Sequence, residues 1–231
     1  MIPYKDINPT RRFPWVTVAL IAANFLVFGY ELGLDDVARR TFFYQFGAVP
    51  RLIVYSEPVR GIVPPIAPLW TIFTAMFIHG NPLHVGGNML YLWIFGNNVE
   101  DLLGRVKFLF FYLICGLAAA AAQILIAPGS AAPMVGASGA IAGVLGAYLV
   151  KYPFARIRTL VFLFIFFTVV ELPALVVLGL WFVLQLFQGA VSVGVQTAGS
   201  SGVAFFAHIG GFVTGMILIG LFAGRPRRAN W

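Results

Sequence analysis

Apolar runs that approach the length needed to cross a bilayer, separated by short clusters of Gly, Pro and charge, constrain this chain more than any other feature. A helix needs about 20 consecutive apolar residues to span a hydrocarbon core of about 30 Å. Such runs recur through the 231 residues. Composition agrees, with 60% hydrophobic and 10% charged residues and a mean hydropathy of +0.91, against roughly half apolar and a quarter charged in soluble domains. Water is not the main solvent of this chain, and an all-α membrane domain is expected.

The net charge of +7 does not point to nucleic acid. The basic residues form no aromatic-interleaved patch and instead flank apolar runs in twos and threes, the pattern of topology signals. The single cysteine, Cys115, lies within an apolar run, so no internal disulfide can form and no metal or redox motif is suggested. Lys5, Arg11 and Arg12 precede the first apolar run as in a signal peptide, but no small-residue cleavage pattern follows Tyr30. The first run is therefore expected to be an uncleaved helix.

Six membrane-spanning helices are expected. The first runs from Trp15, after a Pro14 suited to a first helical turn, to about Tyr30, the second from Pro82 to Asp101, and the third from Arg105 to Ala127. The fourth runs from Ser138 to about Tyr152, the fifth from Leu172 to Gln188 and the sixth from Val203 to Ala223. Between the first two, residues 31–81 are too broken by Arg and Pro to span, and a structured connecting loop is expected there. A straight helix over residues 159–188 would be about 45 Å long, more than the bilayer core. Glu171 and Pro173 break that stretch, so residues 159–170 are expected to be re-entrant or interfacial. The expected organisation is a cytoplasmic tail, 1–14, a six-helix domain, 15–224, and a basic cytoplasmic tail, 225–231.

Six spans put both ends on one side. The tails and the loops after the second and fourth helices hold Lys5, Arg11, Arg12, Arg105, Lys107, Lys151, Arg156, Arg158, Arg225, Arg227 and Arg228. The loops after the third and fifth hold no Lys or Arg. The positive-inside rule then makes both termini cytoplasmic.

Polar residues within the spans are costly and often mark function. Asn24, Gln123 and Gln185 are isolated amides that interhelical hydrogen bonding explains. His84, Asn88, Ser138 and His208 remain. With the topology above, three helices deliver these groups to one level near the outer face. Ser138 stands in Gly136-Ala137-Ser138-Gly139 at a helix start, where it is either a plain N-cap or a nucleophile whose neighbouring N–H groups face a developing oxyanion. His208, Gly211 and Gly215 share one helix face, and Gly139, Gly143 and Gly146 form a matching stripe just after Ser138. Packing of the two stripes would bring imidazole to hydroxyl. A buried histidine bonded to a helix carbonyl is the structural alternative for His208. His84 and Asn88, four apart, share a face and suit an oxyanion as neutral donors; interhelical bonding is their alternative. His79 falls about 140° around from His84 and is in any case expected outside the helix, which argues against a three-histidine metal site. No aspartate pair lies within the spans, and no third member of a triad is visible.

These residues resemble the rhomboid family of intramembrane serine proteases, in its bacterial type. The resemblance covers roughly residues 70–215. It rests on His84-Val85-Gly86-Gly87-Asn88, Val99-Glu100-Asp101-Leu102-Leu103-Gly104, Gly136-Ala137-Ser138-Gly139-Ala140 and Ala207-His208-Ile209-Gly210-Gly211 continuing to Gly215, in that order. It implies a six-helix core, Ser138 as nucleophile, His208 as base, and His84, Asn88 and the Ser138 N–H around the oxyanion. It also implies lateral access for membrane-anchored protein substrates, with the fifth helix and the loop before the sixth as moving parts, cleavage near the outer face, a bacterial inner-membrane location, and no cofactor or metal. Two positions depart from the family: Thr71 where arginine is frequent, which puts loop anchoring in question, and Ala142 where many members carry an aromatic that stacks on the histidine. The alternatives are a rhomboid-like protein that binds membrane segments without cutting, whose mark would be loss of the serine or histidine, and a small transporter, which the absence of mid-span charges and of repeated half-helices disfavours.

Overall fold

In a computed structural model that describes residues 1–163, 166–194 and 204–223, the chain is mostly helical. A short strand β1 (Ile2–Asp6) precedes α1 (Trp15–Leu32). The expected loop then carries α2 (Asp36–Phe46), α3 (Pro50–Tyr55) and, after a 3₁₀ turn at Pro68–Trp70, α4 (Thr71–Ala75). The second apolar stretch is α5 (Pro82–Tyr91), a π-helical turn Leu92–Gly96 and α6 (Asn97–Leu103) in unbroken succession. There follow α7 (Arg105–Ile126), α8 (Ser138–Lys151), the strands β2 (Arg156–Leu163) and β3 (Phe166–Pro173), α9 (Ala174–Gly194) and α10 (Phe205–Phe222). Four of these helices, α1, α7, α9 and α10, are long and apolar enough to cross a membrane. Their outward faces carry large apolar side chains such as Leu26, Leu125 and Leu221, each at least three-quarters exposed. In water such a surface would be a liability; in lipid it is the solvated face.

Helix α8 sits at the centre, with Ala140 to Tyr148 buried without interruption. It packs between α7 and α10, and its 14 residues make it about 21 Å long, shorter than the hydrocarbon core. The small residues of α8 and α10 set their closeness. A Cβ added to Gly211 would run into the Gly139 carbonyl, one on Gly215 into the Gly143 carbonyl, and one on Gly146 into the Phe212 carbonyl. Backbone meets backbone along the whole crossing, which only glycine allows.

The described residues of 159–170 are strand and not helix. They belong to a β-hairpin in which Arg156↔Pro173 through Leu163↔Phe166 pair antiparallel, and β1 adds a third strand beside β2. The β-branched and aromatic run favours strand over helix. The small sheet is an addition to the all-helical expectation, and it moves the start of the fifth helical segment from Leu172 to Ala174, while its end lies at Gly194, beyond the expected Gln188. Pairing of β1 with β2 also puts the N-terminal segment and the loop after α8 at the same end of the molecule. Glu171 lies opposite Arg158 in the hairpin and accepts from its Nε at 3.1 Å. The glycine-rich stretch 199–202 and the arginine tail 225–228 lie outside the described residues.

At that same end a buried carboxylate fastens two helices. Pro14 offers no side-chain cap to α1. Glu100, 3% exposed, instead accepts from the backbone N–H of Val16 at 3.0 Å and of Thr17 at 2.7 Å, and from the Thr17 hydroxyl at 2.8 Å. These are orphan donors of a helix start, satisfied from another helix. Glu100→Ala leaves them buried and unpaired, and a loss of about 3–5 kcal/mol is expected. Thermal unfolding in detergent checks this, with Glu100→Gln expected to recover part of the loss. Asp6 in β1 is tied in similarly, accepting from Asn98 Nδ2 at 2.6 Å and Tyr148 Oη at 3.0 Å. Burial raises its carboxyl above the usual range, with those bonds opposing.

Candidate active site

Ser138 is the first residue of α8. Gly139 beside it packs on Ala119, about two turns before the end of α7, so α8 starts within the helical bundle rather than at its rim. Gly136, with φ of +125°, makes the turn that leads into it, and its N–H donates to the Ala75 carbonyl at 2.8 Å. The approach to Ser138 is further held by the long first loop. Ala48 and Met134 exchange both backbone hydrogen bonds, and Arg51 N–H donates to the Ser130 carbonyl. Thr71, at one of the two departing positions, is buried and donates to the Pro68 carbonyl at 2.6 Å. Arg39 reaches the Gly80 carbonyl at 2.8 Å. This loop is therefore anchored by many local bonds.

His208 comes from the first turn of α10, across the glycine crossing from α8. Its Nε2 lies 2.7 Å from Ser138 Oγ. The two residues are 70 positions apart in sequence, and the close approach of Gly211 to Gly139 puts their helices in register. Gly143 packs on Cys115 of α7 in the same layer.

His84 and Asn88 of α5 face this pair from the side. A Cβ on Gly136 would stand 2.8 Å from His84 Nε2 and 3.6 Å from Asn88 Nδ2. Absence of a side chain at 136 thus brings both donors up to the backbone two residues before Ser138. Asn81 caps α5 by accepting from the His84 N–H at 2.9 Å. Gly80 N–H points at His84 Nδ1 at 3.4 Å. With Nδ1 as acceptor, the ring proton sits on Nε2, facing Gly136.

Asn88 is held in turn by a residue that sequence reasoning placed outside the site. His79 Nδ1 lies 3.3 Å from the Phe77 carbonyl and His79 Nε2 2.9 Å from Asn88 Nδ2. The tautomer follows: Nδ1–H donates to the carbonyl and Nε2 accepts from the amide, leaving the second Asn88 N–H free. His79 precedes the α5 span and is fully buried; burial, with His84 nearby, lowers its pKa to about 4. It is thus neutral, as acceptance from Asn88 requires. Glu31, at the end of α1, accepts from the His79 N–H at 3.1 Å. The 140° offset between His79 and His84 is a helical measure, and His79 is not on the helix. Its ring centroid lies 5.0 Å from that of His84.

The ring of His208 has support that Ala142, buried inside α8, does not give. Trp181 of α9 lies with its ring centroid 5.9 Å from that of His208 at an interplanar angle of 37°. Gln185 Oε1, one helical turn along, is 2.7 Å from His208 Nδ1. Gln185 stood in the sequence as an isolated amide with no role beyond interhelical bonding. The Trp181–Gln185 spacing of four, which puts an aromatic and an amide on one helix face, was the available signal.

Beside Ser138 is a cavity of about 50 Å³ whose lining includes Met134, Val135, Gly139, Ala204 and Ala207. It has space for at least one water molecule. Together these groups offer a hydroxyl, an imidazole nitrogen within hydrogen-bond distance of it, neutral polar side chains beside them and a place for water.

Likeness to known proteins bears on what the arrangement is. A profile of the Rhomboid domain matches residues 67–225. RHOMBOID-like protein 1 of Arabidopsis thaliana is 26% identical over 255 aligned positions, taking in 97% of this chain and 57% of the relative. Rhomboid protease GluP of Bacillus subtilis (strain 168) is 39% identical over 80 residues, 35% of this chain and 15% of the relative. Presenilin-associated rhomboid-like protein, mitochondrial, of Homo sapiens is 31% identical over 140 residues, 60% of this chain and 33% of the relative. The chain spans 57% or less of the length of each of these.

Proposed function

The chain belongs to the rhomboid family, and on that premise we propose that this multi-pass membrane protein is an intramembrane serine endopeptidase acting through a Ser138–His208 dyad. The 2.7 Å contact between His208 Nε2 and Ser138 Oγ, made by two helices remote in sequence, carries this reading. An N-cap serine would need no base beside it.

In the proposed reaction, Ser138 Oγ attacks the scissile carbonyl while His208 Nε2 takes its proton. The charge that develops on the carbonyl oxygen is met by the Ser138 N–H, unpaired at the helix start, together with His84 Nε2–H and the free N–H of Asn88 Nδ2. His208 then gives the proton to the leaving amine. Water drawn from the cavity beside Ser138 hydrolyses the acyl-enzyme by the same steps reversed. All the groups involved are neutral at rest, which keeps the cost of holding them within the membrane low. The substrate class is a membrane-anchored protein segment, reaching the site laterally. Six spans, a domain from 15 to 224 between cytoplasmic tails 1–14 and 225–231, a bacterial inner-membrane location and cleavage near the outer face complete the proposal.

The test is cleavage of a helical-anchor substrate by the protein reconstituted in liposomes. Wild type is expected to cleave and Ser138→Ala to leave the substrate intact; equal cleavage by both would overturn the proposal. Asn88→Ala is expected to lower kcat by about 10²-fold with little change in KM, since its N–H acts on charge present only in the transition state. An unchanged kcat would remove Asn88 from the oxyanion role.

A further inference from the structure

We propose that Gln185 of α9 is a third, positioning member of the site: its amide carbonyl accepts the His208 Nδ1 proton and thereby keeps the Nε2 lone pair directed at Ser138. This inference rests on the reading of Ser138 and His208 as nucleophile and base.

Both ring nitrogens of His208 are engaged, at 2.7 Å to Gln185 Oε1 and 2.7 Å to Ser138 Oγ. A neutral imidazole has one proton for two nitrogens. A carbonyl oxygen can only accept, so the contact with Gln185 places that proton on Nδ1 and leaves Nε2 as the acceptor of the serine proton. This is the tautomer a general base must hold. The other tautomer would put N–H against Ser138 and leave no lone pair to take its proton. As the transfer proceeds and the ring becomes cationic, the bond to the amide dipole becomes charge-assisted and strengthens.

The surroundings favour an amide over the carboxylate that fills this role in water-soluble triads. Gln185 is 9% exposed and is the buried polar side chain among the described residues of α9, where Gln188 faces outward. An ionised acid in this layer would cost far more to bury than a neutral amide. Trp181, one turn earlier on the same face, covers the His208 ring, and Phe182 stacks on Phe212 of α10 with centroids 4.4 Å apart at 15°. These aromatics fix α9 against α10, so the amide is delivered by a packed surface. Helix α9 thus supplies both the ring cover and the Nδ1 acceptor, and the imidazole is oriented with no aromatic at position 142.

Two measurements test the inference, one of them independent of proteolysis. The ¹⁵N spectrum of histidine-labelled protein in detergent, assigned with a His208→Asn variant, is expected to show His208 protonated on Nδ1. In Gln185→Met, which keeps volume and removes the acceptor, that preference is expected to be lost, and in Gln185→Glu to be kept. Wild type protonated on Nε2, or a Gln185→Met spectrum identical to wild type, overturns the inference whether or not the protein is a protease. In the liposome assay Gln185→Met is expected to lose about 10- to 100-fold in kcat with KM unchanged, while Gln185→Glu, which keeps an acceptor oxygen, retains more activity than Gln185→Met. Equal impairment of the two variants would mark Gln185 as a packing residue and overturn the acceptor role. Failure of wild type to cleave would overturn the protease reading alone and leave the spectral result to decide the position of the proton.

Discussion

His208→Asn lowers kcat by on the order of 10⁴-fold or more, with KM little changed, if the imidazole acts as general base. A serine hydroxyl is a weak nucleophile at neutral pH, and its 2.7 Å partner is the group in reach that can take its proton during attack. Substrate contacts are left in place, so binding should persist while turnover disappears. The double variant Ser138→Ala/His208→Asn should be no slower than either single one, because two residues acting as one unit lose their joint effect once. Turnover assays on the three proteins check this; additive losses would mean that the residues act separately.

Gly215→Ala is expected to destabilise the protein by about 2–4 kcal/mol, a large effect for one methyl group. The added Cβ would run into the Gly143 carbonyl, which belongs to another helix's backbone and cannot move aside as a side chain could. Separation of α8 and α10 would follow, and with it lengthening of the Ser138–His208 contact a turn or two above. Gly220 lies on the same helix with nothing within 4 Å of its Cβ position. Gly220→Ala should therefore be neutral or stabilising by up to about 1 kcal/mol. Unfolding in mixed detergent compares the pair. Equal stability of the two variants would mean that the crossing tolerates more space than its geometry requires.

Much of the fold was legible because lipid enforces a simple rule: apolar runs become helices, and Pro, Gly and charge mark their ends. Pro82, the Gly104–Arg105 boundary and Ser138 are helix limits in both sequence and structure. Residues 159–170 were legible as distinct from the helix that follows, from the length of 159–188 and from the break at Glu171 and Pro173. Their strand pairing was not, because a β-branched and aromatic run within a membrane chain reads equally as a helix fragment, and the partner strand β1 lies more than 150 positions from β2. Of the site, Ser138, His208, His84 and Asn88 stood out as polar residues at one depth on three helices. His79 did not, because helical periodicity cannot place a loop residue that folds back onto its own helix. Gln185 did not either, since a lone amide in an apolar helix reads as interhelical bonding until its partner is known. The cover of His208 by Trp181 was equally hidden, because α9 packs on α10 through contacts that no short motif records.

The central claim is that Ser138 is a nucleophile activated by His208. Incubation of the detergent-solubilised protein with a fluorophosphonate probe, followed by peptide mapping, tests it most directly. Covalent labelling of Ser138 in wild type is expected, together with its absence in Ser138→Ala and severe slowing in His208→Asn. Absence of labelling in a wild type that also fails to cleave an anchored substrate, or labelling at Ser138 undiminished by His208→Asn, would contradict it.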